Sequence, residues 1–128
     1  MLKLIDILKF VGNALKVDYI VEEGTAGIWT YRKWNSGIAE CWGIISSWFS
    51  CTIPGLGGYY HPQGIYVDMP IDLFNTTPVG TASIYGGGVA CGIQVRAISK
   101  TQFYWNALSI SNTGQTYTAH MHVKGRWK

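Results

Sequence analysis

His120 and His122 stand two apart in the segment Ala-His-Met-His-Val. On a strand that spacing turns both imidazoles to one face, and a neutral imidazole is a common metal ligand. Histidines on a wet strand face are usually just solvated. Three carboxylates invite a second chemistry. Glu40 sits in an aromatic run, and Asp68 and Asp72 flank Pro70. A glycosidase needs two acids facing each other across a cleft, but nothing in this spacing favours that over solvated or salt-bridged acids. The chain carries no GxSxG elbow and no HExxH. The glycines at 86–88 are followed by no Lys-Ser/Thr of a phosphate loop. The sequence therefore reads as non-enzymatic, with no cofactor. Cys41, Cys51 and Cys91 are odd in number and form no CxxC pair. That argues against a disulfide framework or a zinc site, and for buried free thiols made in a reducing compartment.

Aromatic side chains are the other chemical resource. In "GIWTYRKWNSGIAECWG", residues 27–43, the pattern alternates. Trp29, Tyr31 and Lys33 fall on one strand face, and Thr30, Arg32 and Trp34 on the other. Rings on both faces cannot all enter a one-sided core. One set is expected inside and the other against a partner subunit or a ligand. Indoles also stack on sugar faces, whereas base stacking would want denser cations nearby. A second candidate contact site is "GGYYHPQG", a loop-like stretch offering Tyr59, Tyr60 and His61. Loops concentrate recognition residues, and tyrosine supplies contact area at low entropy cost. The candidate ligand-binding set is thus Tyr59, Tyr60, His61 and Trp34.

Composition narrows what must position these groups. Only 13% of the 128 residues are charged while 16 are glycine, against a usual charged share of about 25%. Few charges with many rings suggest surface that another chain covers. The net charge is +3 and the basic residues are scattered, which disfavours nucleic acid as a partner. At the start, Met1, Leu4, Leu8, Val11 and Leu15 follow a three-four spacing, the a/d seam of a heptad. Residues 1–17 therefore read as a helix, the end of a coiled-coil stalk. The segment is too short and polar for membrane insertion, and it lacks a signal-peptide cleavage site.

From Asp18 on, the period is two. Turn signals at Asn35–Gly37 and Asn112–Gly114 and a Pro/Gly-rich middle separate seven or eight strand-like runs. Residues 18–128 are expected to form one all-β domain, an antiparallel β-sandwich or jelly roll.

Two stretches carry a resemblance: "DYIVEEGTAGIWTYRKWNSGIAECWG" at residues 18–43 and "VKGRWK" at 123–128. They resemble the C-terminal head domains of tail-fibre and receptor-binding-type proteins of Firmicutes phages and prophages. The resemblance implies a homotrimeric β head at the virion's tail tip, assembled in the host cytoplasm and joined to other phage tail proteins. It also implies a non-enzymatic role in host attachment, with bacterial cell-surface polysaccharide as the partner. It transfers no functional residue. On this reading the trimer interface is Leu4, Leu8, Val11 and Leu15 with Trp29 and Tyr31. Three copies of His120 and His122 near a threefold axis would offer six imidazoles to a metal. The alternative is a structural virion protein that only trimerises or caps.

Overall fold

The computed structural model describes residues 3–15, 17–55, 57–86, 91–97 and 99–128. Helix α1, Leu4–Leu15, opens on Asp6, whose carboxylate accepts the Lys3 amide N–H at 3.2 Å. Gly12 lowers intrinsic helicity but has a packing reason: a Cβ there would run into the Tyr19 ring, which is buried against it. Among the described side chains of the helix, Leu4, Ile7, Leu8, Phe10 and Val11 face water. Leu4 is 70%, Leu8 38% and Val11 41% exposed. The Leu15 side chain lies outside the described residues.

Among the described residues ten strands follow: β1 (Ile20–Ala26), β2 (Trp29–Trp34), β3 (Ile38–Cys51), β4 (Ile53–Gly55), β5 (Gly58–Tyr60), β6 (Ile65–Asp68), β7 (Val79–Gly86), β8 (Cys91–Ala97), β9 (Gln102–Ser109) and β10 (Thr113–Arg126). The first sheet runs β1-β2-β3-β10-β7. The second runs β4-β5-β9-β6, with β8 along the other side of β9. All pairings are antiparallel. The chain is thus mostly β with one short N-terminal helix, as the periodicity predicts. The strand count differs for local reasons. Two apolar runs expected to be separate fuse into β3, since Ser46 and Ser47 tolerate extended backbone and the Ser46 hydroxyl lies 2.8 Å from that of Thr118. The Pro/Gly-rich middle adds the short strands β4 and β5.

The core lies between the sheets. Ala39, Cys41, Phe49 and Cys51 of β3 and Tyr117, Ala119, Met121 and Val123 of β10 point inward at period two. They meet Phe103, Trp105 and Ala107 of β9. Phe49 is the hub, edge-on to Trp105 at 4.7 Å, His61 at 5.2 Å and Tyr117 at 5.8 Å between ring centroids. Such edge-to-face pairs each add about 0.5–1.5 kcal/mol beyond area burial. The Tyr117 hydroxyl, buried here, accepts from Gln115 Nε2 at 2.9 Å.

This core corrects part of the expected trimer interface. Trp29 is enclosed in its own chain at 2% exposure, edge-on to Phe103, and its Nε1–H donates across the sheets to the Asp68 carbonyl at 2.7 Å. Tyr31 packs half-buried on the same core. Burial, with the Glu22 charge second, raises its phenol above the ordinary range. The sequence pattern separates the two faces of β2 correctly, but the face carrying Trp29 and Tyr31 is the inner one.

The two stretches that carry the resemblance meet in space. β10 ends beside the turn between β2 and β3, where Trp127 Nε1–H donates to the Trp34 carbonyl at 2.8 Å. Its amide N–H donates to the Gly37 carbonyl at 2.9 Å. The Arg126 guanidinium donates to the Ser36 carbonyl at 3.0 Å, and the Lys33 and Lys128 ammoniums lie 5.5 and 4.9 Å from the Trp127 ring centroid. Gly37, at φ +100°, makes the turn that opens this seat. On the far side, Asp18 accepts the Ser36 hydroxyl and amide. The Ser36 hydroxyl bond is the main reason its carboxyl titrates below the usual range. The two stretches form a clasp between residues 126–128 and the β2–β3 hairpin. Replacing Trp127 with Ala should cost about 2–4 kcal/mol in urea unfolding through lost ring packing. Trp127→Phe, which keeps a ring and loses the N–H bond, should cost about 1 kcal/mol.

Candidate functional site

The clearest concavity lies on the outer face of the second sheet. Along β9, Phe103, Trp105, Ala107 and Ser109 face the core, so Tyr104, Asn106 and Leu108 face outward. β8 flanks one side of β9 along its whole length. The other side is shared. β6 pairs from Asp68↔Gln102 up to Ile65↔Trp105, and β5 takes over at Tyr60↔Leu108. Between them, opposite Asn106, the ladder has a gap. The Asn106 side chain fills it, donating from Nδ2 to the His61 carbonyl at 3.0 Å and accepting the Ala107 amide on Oδ1 at 2.9 Å. A carboxamide supplies the donor and acceptor that a missing strand would have offered.

Above this gap opens a groove of about 660 Å³. One wall is Pro54, Gly55 and Tyr60 from the β4–β5 hairpin. The floor and other wall come from Ile93, Gln94, Asn106, Ala107 and Leu108 of β8 and β9. Tyr60 is 37% exposed, and a Cβ on Gly55 would come within 2.9 Å of its Cε1. Gly55 thus leaves the ring its place on the wall. Farther along the same face, Tyr66 lies opposite Tyr104 with ring centroids 5.2 Å apart, and Arg96 flanks Tyr104 on the other side.

The candidate residues separate. Only Tyr60 reaches this groove. Tyr59 points the other way, half-buried against the core. His61 is a structural ring rather than a loop contact. Its Nδ1 lies 3.1 Å from both the amide nitrogen and the carbonyl oxygen of Ser50, and its edge meets Phe49. The stretch expected to be a loop is partly β5, because Tyr59 and Tyr60 pair with Ser109 and Leu108. Trp34 belongs to the first sheet, beside a smaller hollow of about 240 Å³ with Asp18, Ile38, Glu40 and Lys124. Trp34 and Tyr60 therefore do not form one site. Gln94, Asn106 and Leu108 were not singled out from sequence. Period two puts Asn106 and Leu108 on one face, but their meeting with Tyr60 depends on cross-strand register.

His120 and His122 share the outer face of β10, as their spacing predicts. His122 Nε2 lies 3.2 Å from Glu40 Oε2, and His120 tilts against Tyr85 at 5.6 Å. Their direct cross-strand neighbours are Ile44 and Ser83 for His120, and Trp42 and Thr81 for His122. None of these four is a usual metal ligand. Among the described residues no group of three or more His, Cys, Asp or Glu converges. The carboxylates are also apart. Glu40 projects from the outer face of the first sheet toward His122, whereas Asp68 projects from the second, accepting from Gln102 Nε2 at 3.3 Å. The core lies between them, so Glu40 and Asp68 do not face each other across one cleft. Asp72, itself exposed, adopts φ 59° in the connection after β6.

No protein-family model, curated protein or solved structure matches the chain. Among the described residues, no helix is long and apolar enough to cross a membrane.

The two described thiols are packing groups. Cys41 and Cys51 are free and fully buried, and Cys51 Sγ lies 3.7 Å from the Ala107 carbonyl. Burial, with the Glu40 charge second, pushes the Cys41 thiol up to about 12. Because its folded value is raised, the stabilisation is complete below the unfolded value of about 9 and is lost as pH climbs from there toward 12. Relative to Cys41→Ala, the wild type should lose stability across that window. The slope should approach about 1.4 kcal/mol per pH unit at its steepest, read by chemical unfolding at stepped pH.

Proposed function

We propose that this chain is a receptor-binding head of the phage or prophage tail-fibre type. It holds bacterial cell-surface polysaccharide on the outer face of its second sheet and does no chemistry on it. The observation that carries the reading is the groove beneath Tyr60, where an aromatic wall faces the carboxamides of Gln94 and Asn106. Sugars present C–H faces that stack on a ring and hydroxyl edges that hydrogen-bond to amides. An open groove of this kind gives weak single-site affinity, so useful attachment depends on several copies engaging one surface together.

The helix supports that multiplicity. Leu4, Leu8 and Val11 share a heptad seam, and each is exposed in the lone chain. Three parallel copies would cover that seam and place three heads side by side, as in the homotrimer that the resemblance implies. Trp29 has no part in this contact, since it fills the chain's own core. The same exposed seam favours the second reading, a virion protein whose whole task is trimerisation or capping.

Two measurements test the proposal. Light scattering on the full chain should give a trimeric mass, and Leu8→Asp should shift it toward monomer; a wild-type monomer at micromolar concentration removes the avidity argument. Saturable adsorption to host cells should weaken by about tenfold or more in Tyr60→Ala, the effect of losing one stacking ring multiplied over linked sites. Stable trimers that adsorb to no host cell would favour the capping role.

A further inference from the structure

The groove beneath Tyr60 also limits the charge of what it takes. Among the described residues its lining is Pro, Gly, Tyr, Ile, Gln, Asn, Ala and Leu, with no side chain ionised at neutral pH. Among the described residues, the strands of this sheet place Arg96 and Asp68 beyond the groove, on the side of Tyr66 and Tyr104. The cations Arg32, Lys124 and Arg126 belong to strands of the first sheet. A polyanion entering the groove would lose hydration there without meeting a counter-charge.

We infer that the groove takes an uncharged saccharide segment. It lies against Tyr60 and Leu108, with its hydroxyl or acetamido groups on Gln94 and on the free valences of Asn106. Asn106 is already committed twice, to the His61 carbonyl and to its own strand. One N–H and one lone pair remain for ligand, and the carboxamide is fixed in direction before ligand arrives. Gln94, exposed and opposite Asn106 in the ladder, is the adjustable partner. Orientation by one locked amide and one free amide suits a neutral sugar edge, whose donors and acceptors alternate.

This inference rests on the receptor-binding reading, and the test separates the two. The full chain is titrated calorimetrically with neutral oligosaccharides (an N-acetylglucosamine tetramer and maltotetraose) and with polyglycerol phosphate. Each titration is run at about 50 and about 500 mM salt, which changes screening strongly. The inference expects a neutral probe to bind, with Kd moving less than about twofold between the two salts. Tyr60→Ala should weaken that binding about tenfold and Gln94→Ala about threefold or more, while circular dichroism and urea midpoints stay at wild type. Gln94→Lys should weaken the neutral probe and give the polyanion no foothold in the groove. Binding of polyglycerol phosphate alone, lost at high salt and strengthened by Gln94→Lys, would overturn the inference while leaving a receptor-binding head intact. Binding of neither probe class overturns it as well, and adsorption to host cells then decides the wider reading by itself.

Discussion

The pairing of β3 with β10 is the constraint on which the rest depends. Fourteen consecutive residue pairs run from Thr113↔Cys51 to Arg126↔Ile38. Each strand alternates between core and solvent, so a slip of β10 by one residue would turn Tyr117, Ala119, Met121 and Val123 outward together. The cost of exposing that set makes the register unique. Register in turn delivers the C-terminal residues to the β2–β3 turn, where Trp127 docks on the Trp34 and Gly37 carbonyls. The clasp is a consequence of strand length as much as of local chemistry.

Fixing this ladder also separates two outer surfaces that the linear sequence mixes. The first sheet presents a row in which Lys124, Glu40, Arg32 and Glu23 are successive cross-strand neighbours of alternating sign. Arg32 lies 3.3 Å from Glu23 and over the Trp42 ring at 5.2 Å. Exposed pairs of this kind add about 0–1 kcal/mol each, so they set surface character more than stability. The second sheet presents tyrosines, Leu108 and carboxamides. The salt-sensitive ion pairs Arg32–Glu23 and His122–Glu40 lie on the first surface.

Much of the fold was legible because its signals are local. Extended runs at residues 29–34, 38–45 and 116–126, the Asn35–Gly37 turn, and a helix ending before Asp18 all appear in the structure. Burial of Cys41 followed from its apolar strand context. The candidate site was less legible. Tyr60 was named, but so were Tyr59 and His61, its immediate neighbours, which turn inward. Alternation alone separates Tyr59 from Tyr60 once β5 is recognised. In the sequence, that three-residue strand is hidden among glycines and a proline. Gln94 and Asn106 carry no motif at all.

The sequence by itself determined which segments extend, where the chain turns, and which side chains within one strand share a face. These depend on dihedral preference and alternation over a few residues. Tertiary structure decided which face is the inside, and so drew Trp29 and Tyr31 into the chain's own core. It also set Glu40 and Asp68 on opposite sides of the molecule, and brought Tyr60 over Gln94 and Asn106. Those outcomes depend on pairing between strands far apart in the chain, where burial of the whole set of rings, not any local preference, selects the arrangement.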